Sequence, residues 1–175
     1  MFNIKIADEL KTKCPEMVLG TIFCKIDNSS YNSDLWQEIH AFIEDLRLNN
    51  SIEDIKKHPV IAKTRQVYKA CGKDPNRYRP AAEALRRRIL RGFDLYQINT
   101  LVDVVNLISL KHGYSIGGFD AEKVEGDVIA GIGKKDEPYE AIGRGPLNVE
   151  GLPIQRDNVG GIGTPTSDEV RTAIS

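Results

Sequence analysis

Asp103 and Asn106 stand three residues apart within the apolar run formed by Leu101, Val102, Val104, Val105, Leu107, Ile108 and Leu110. A polar pair one helical turn apart in such a run must be hydrogen-bonded, since each orphaned buried group costs about 1–3 kcal/mol. The pair either ties down a neighbouring loop or contacts a ligand. The second concentration of chemistry is basic: residues 63–91 hold ten Lys and Arg side chains against Asp74 and Glu83, while the remainder carries fourteen basic and twenty-three acidic groups. The formal net charge of −1 therefore conceals a cationic block on an acidic molecule, the footprint expected for a phosphate-rich partner. The competing expectation is a solvated helix face with Glu83 and Arg87 paired at i,i+4.

Other chemistries find no pattern. Cys14, Cys24 and Cys71 match neither a disulfide framework nor a zinc-ligand spacing, and His40, His58 and His112 form no HExxH cluster. No metal and no cofactor is expected. Gly160-Gly161-Ile162-Gly163 and Gly143-Arg144-Gly145 lack the lysine-serine and βαβ context of nucleotide loops. The 175 residues, 41% hydrophobic and 28% charged, lead us to expect a soluble cytoplasmic protein of one domain spanning residues 1–175. No apolar stretch reaches the ~18 residues of a spanning helix, and no leader pattern opens the chain.

These groups need elements to hold them. Only Gly20, Gly72 and Gly92 precede residue 113, whereas twelve of the fifteen glycines lie from Gly113 onward, so helices are expected first and strands later. Residues 17–26 read as an early strand. Asp34 can cap a helix reaching about Leu48, with Gln37 as its reciprocal partner and Leu35, Ile39, Phe42 and Leu46 as its stripe. Pro59 opens a second helix ending at Gly72, and Pro80 a third ending at Gly92, with Leu85 and Ile89 inward and Arg86, Arg87 and Arg91 mostly outward. Asn99 caps the fourth, closed by Gly113. Residues 124–132, 139–142 and 147–149 are strand candidates.

The run from Tyr78-Arg79-Pro80 through Arg86-Arg87-Arg88, then Ile98-Asn99-Thr100-Leu101-Val102-Asp103-Val104-Val105-Asn106 and Ser109-Leu110-Lys111-His112-Gly113, resembles the B3/B4 domain of the phenylalanyl-tRNA synthetase beta subunit, in its stand-alone form. Ile116-Gly117-Gly118-Phe119-Asp120, Glu125-Gly126-Asp127 and Gly163-Thr164-Pro165-Thr166-Ser167-Asp168 continue the match in order. The resemblance runs from about Met17 to the last residue. It implies an α+β fold, a three-layer β/β/α sandwich with helices mainly in the N-terminal half and strands in the Gly-rich C-terminal half.

It also implies a pocket receiving the charged 3′ end of a tRNA, where the synthetase domain hydrolyses tyrosine wrongly esterified to the phenylalanine tRNA. Asp103, Asn106, Gly117 and Gly118 are expected in that pocket, with Gly161, Gly163, Ser167 and Asp168 on its glycine-rich side. Arg77, Tyr78, Arg79, Arg86, Arg87 and Arg91 are the expected tRNA contacts, the arginines for phosphates and Tyr78 for a base. Three positions depart from the synthetase pattern. Val105 replaces a threonine, Gly117 replaces a histidine, and the glutamate that reads the phenol would lie beyond Ser175, so the chain is expected to lack the family's C-terminal end. Ester hydrolysis is accordingly left open, and reuse of the pocket for an amino acid or other small ligand is the alternative. Docking of the arginines on an acidic protein is a third.

Overall fold

In the computed structural model, which describes residues 3–174, the chain opens with β1 (Ile4–Ile6) and α1 (Asp8–Lys13). Four helices follow: α2 (Ser33–Asn49), α3 (Pro59–Cys71), α4 (Ala81–Leu90) and α5 (Thr100–His112). The strands β2 (Val128–Ile132), β3 (Glu140–Ala141), β4 (Gly145–Pro146), β5 (Pro153–Arg156) and β6 (Gly161–Gly163) complete the order. The fold is α+β, with every helix of more than one turn before Gly113 and every strand but β1 after Asp127. Among the described residues no helix is long and apolar enough to cross a membrane.

The helix ends follow the punctuation of the sequence. Pro59 begins α3, Pro80 precedes α4, and the Asn99 side chain caps α5 by accepting the amide of Val102 at 3.0 Å. Gly113 ends α5 with φ of 77°, a left-handed conformation, and a Cβ there would run into the His58 ring. The cap of α2 is corrected from Asp34 to Asn32, whose side chain accepts the amide of Leu35 at 2.9 Å. Its buried stripe is Trp36, Ile39, Ile43 and Leu46, with Leu35 and Phe42 at the margin.

The chain divides into two compact units: Met1–Val18, Thr64–Pro80 and Gly117–Ser175 form one, Leu19–Lys63 and Ala81–Ile116 the other. The second is helical, its core built from the α2 stripe with Ile89, Leu95, Leu107 and Leu110. The first contains a sheet in the order β1-β2-β5-β6, in which β1 runs parallel to β2 and the other pairs are antiparallel. The β3–β4 hairpin forms a second, two-stranded sheet. Tyr68, Tyr139, Ala141, Val149, Leu152 and Ile154 make up that unit's apolar cluster.

Three sequence expectations are corrected. Residues 17–26 form no strand: Val18 and Ile22 are 86% and 93% exposed, and β2 is partnered by β1 instead. β-branched residues favour a strand only where a ladder partner is at hand. Residues 147–149 form no strand either: the hairpin strand is Gly145–Pro146, and beyond it, among the described residues, only the Leu147 amide still reaches across, to the Tyr139 carbonyl at 3.0 Å. Arg86 is 7% exposed rather than outward, since its guanidinium is drawn to the carbonyl end of α5.

Candidate nucleic-acid interface and pocket

In the sheet-bearing unit, the turn after β6 brings together several of the residues expected in the pocket. Thr164 organises it: its hydroxyl donates to the Ser167 carbonyl at 2.9 Å and accepts the amides of Thr166 and Ser167 at 3.2 Å. Two buried tyrosines brace the same turn. The Tyr139 hydroxyl donates to the Ser167 carbonyl at 2.7 Å, and the Tyr68 hydroxyl lies 2.9 Å from that of Thr166. The turn closes with an isolated antiparallel bridge between Gly163 and Asp168.

Asp168 projects from this fixed turn against the glycines. Its Oδ2 accepts the amide of Gly118 at 3.0 Å, and its Oδ1 lies 2.9 Å from where a Cβ would sit on Gly117 and 3.0 Å from where one would sit on Gly163. The Phe119 ring crowds the same two positions. A side chain at 117 or 163 would therefore force the Phe119 ring and the Asp168 carboxyl to shift. Burial lifts the Asp168 carboxyl to about 7, and the single amide bond from Gly118 offsets only part of that rise. A carboxyl titrating near neutrality on a rigid turn can exchange a proton or pair with an amine.

The glycine-rich side expected for the pocket is built differently from a loop. Gly161–Gly163 is strand β6, with Gly161 opposite Arg156 and Gly163 opposite Gln155, so ladder pairing takes up a segment expected to be a free loop. Ser167 is half-buried and contributes mainly its carbonyl to the turn. Asp103 and Asn106 belong to the helical unit. Asp103 is 1% exposed and both its oxygens are engaged, by the Trp36 indole N–H at 2.8 Å and the Ile98 amide at 3.1 Å. Of the two roles open to it, this is the tying-down one. Asn106 is half-buried on α5.

The basic block divides equally sharply. On residues 72–80 of the sheet-bearing unit, Arg77 and Arg79 are exposed and form no ion pair among the described residues. Tyr78 is half-buried against the apolar cluster, with the Lys73 ammonium 3.8 Å from its ring centre. In the helical unit, Arg86 donates to the carbonyls of Leu110 and Lys111, and Arg87 pairs with the fully buried Glu83 at 3.1 Å. Arg91, beyond α4, is exposed.

Sequence reasoning missed Lys73, Phe119, Tyr139 and Thr164. Only Thr164 carried a signal, in its spacing of three from Ser167 within a turn; a buried lysine after a glycine looks like any surface lysine. Among the described residues no group of three or more His, Cys, Asp or Glu side chains could hold a metal ion.

A family model for the B3/4 domain matches residues 63–164, a span holding the basic block, α4, α5 and β2 to β6. No curated protein and no solved structure matches the chain.

Proposed function

The chain belongs to the B3/4 domain family, whose namesake is the phenylalanyl-tRNA synthetase beta subunit that its motifs resemble, and from that premise we propose that it binds tRNA. The observation that carries this reading is the pair Arg77 and Arg79, held on an exposed loop without acidic partners among the described residues. Unpaired cations in water are free to release the counterions of a phosphate backbone, which is where sequence-independent affinity for nucleic acid originates. Arg86 and Arg87 are spent within the helical unit and leave this role. The measurement is filter retention of tRNA across salt concentrations. Retention that falls steeply with salt supports the reading, and no retention at low salt ends it.

The finer proposal is that the turn carrying Asp168, beside Gly117, Gly118 and Gly163, meets the aminoacyl end and hydrolyses a mischarged ester, which requires the Phe119 ring that fills the space over Gly117 and Gly163 to swing aside. The histidine of the synthetase pattern is replaced by Gly117, and Asp168 is the titratable group that faces the position. A carboxylate there would take a proton from the attacking water as the tetrahedral adduct forms and return it to the departing ribose oxygen. Deacylation of tyrosine-charged phenylalanine tRNA tests it, with loss of at least about a hundredfold in Asp168→Asn expected.

The same carboxyl favours a second reading, a contact for the ammonium of a free amino acid or related amine. Thermal stabilisation by amino acids without tRNA retention would select it.

A further inference from the structure

Lys73 follows the left-handed Gly72 at the end of α3 and is only 8% exposed, yet it meets no carboxylate within ion-pair distance among the described residues. Its ammonium donates to the carbonyls of Asn148 at 2.8 Å and Glu150 at 2.6 Å and rests on the Tyr78 ring. Carbonyls and a ring face solvate a cation but do not neutralise it, and a desolvated charge ordinarily has a counter-charge. Burial drives this ammonium below its ordinary pKa, the charge of Glu150 opposes the drop, and Arg77 adds to it.

A cleft of about 450 Å³ opens beside these groups, lined by Lys73, Arg77, Tyr78, Asn148, Glu150 and Gly151 among others, all from the sheet-bearing unit. It is a shallow depression open to solvent rather than an enclosed cavity. Arg77 stands on its rim, with its guanidinium carbon 5.6 Å from the centre of the Tyr78 ring. The only acid in the lining, Glu150, is exposed and forms no ion pair among the described residues, so the cleft has two cations and one peripheral anion.

We propose that this cleft is a subsite for one nucleotide of a bound RNA, its phosphate supplying the negative charge that Lys73 and Arg77 lack. The choice of RNA as the source rests on the tRNA reading; the phosphate chemistry rests on the cleft alone. The guanidinium plane of Arg77 is available for the base, since bases stack on arginine as well as on aromatic rings.

The test is NMR titration of the 15N-labelled full chain with inorganic phosphate, adenosine monophosphate and a single-stranded RNA tetranucleotide. Saturable shifts at the Lys73, Tyr78 and Gly151 amides are expected, tightest for the tetranucleotide, with affinity falling at least fivefold in Arg77→Ser. Lys73→Met should lose more, but it also unpins residues 148–150, so the exposed Arg77→Ser is the decisive variant. Absence of shifts with all three probes, or shifts indifferent to Arg77→Ser, overturns the subsite. Filter retention of intact tRNA with an empty cleft would leave the tRNA reading standing and remove only the subsite. Mononucleotide binding without tRNA retention would remove RNA as the occupant and assign the cleft to free nucleotides.

Discussion

The two units hold the charged side chains expected at a site in opposite ways, although the sheet-bearing unit also closes structural pairs such as Arg156–Glu137 and Arg171–Asp157. In the helical unit Asp103 has a donor on each oxygen, Glu83 holds Arg87, and Arg86 closes the carbonyl end of α5, with only its Nε lacking a partner. In the sheet-bearing unit Asp168 has one amide, Lys73 has carbonyls but no counter-anion, and Arg77 and Arg79 face water. Sequence charge alone would have ranked the units the other way, since α4 holds three consecutive arginines. Charges spent on structure are unavailable to a ligand, and function is sought where the fold leaves them unsatisfied.

The contrast is most exposed to test at Asp168. Its carboxyl titrates at about 7 in the folded protein and near 3.9 in the unfolded chain, so the folded state binds the extra proton between those values. The contribution of Asp168 to stability is then fully present below about pH 4 and is lost as pH rises toward 7, by up to about 4 kcal/mol, against the opposite trend of carboxyls held low, such as Asp157. Asp168→Asn should abolish that slope, read as the difference between variant and wild type in urea melts from pH 4 to 8; identical pH profiles would mean the carboxyl is not confined. The counterpart in the helical unit is Arg86→Ala, which strips donors from the end of α5 and should cost about 3 kcal/mol, or roughly 6–12 °C in Tm. A loss under 1 kcal/mol would mean that Arg86 is not spent on structure.

What could be read from the sequence was local. Pro59, Pro80, Asn99 and Gly113 mark helix ends through their own backbone and capping chemistry, and the structure has those ends within a residue or two. The pairing of β1 with β2 across more than a hundred residues leaves no such mark, and the apolar residues 17–26 looked more strand-like than Ile4–Ile6. The motif 163–168 pointed to a turn near the glycines, but not to a carboxyl wedged between Gly117 and Gly163, which needs two distant backbones to meet. In the basic block the count of charges was legible and their availability was not, because availability depends on which carbonyl or carboxylate lies within reach.

That last distinction yields the smallest effect and the sharpest separation of the two units. Arg77→Ala with Arg79→Ala should leave stability within about 0.5 kcal/mol, as expected for exposed groups without ion-pair partners. The same double variant should weaken tRNA retention about tenfold and make the slope of log affinity against log salt shallower by about 1.5, two phosphates' worth. Arg87→Ala should do the reverse: it removes the ion pair with the fully buried Glu83 and destabilises the fold by about 3 kcal/mol, while the salt slope stays as in wild type. If Arg87→Ala flattens the slope as much as the double variant does, α4 also faces the RNA. An unchanged slope in the double variant would instead move the phosphate contacts away from residues 72–80 altogether.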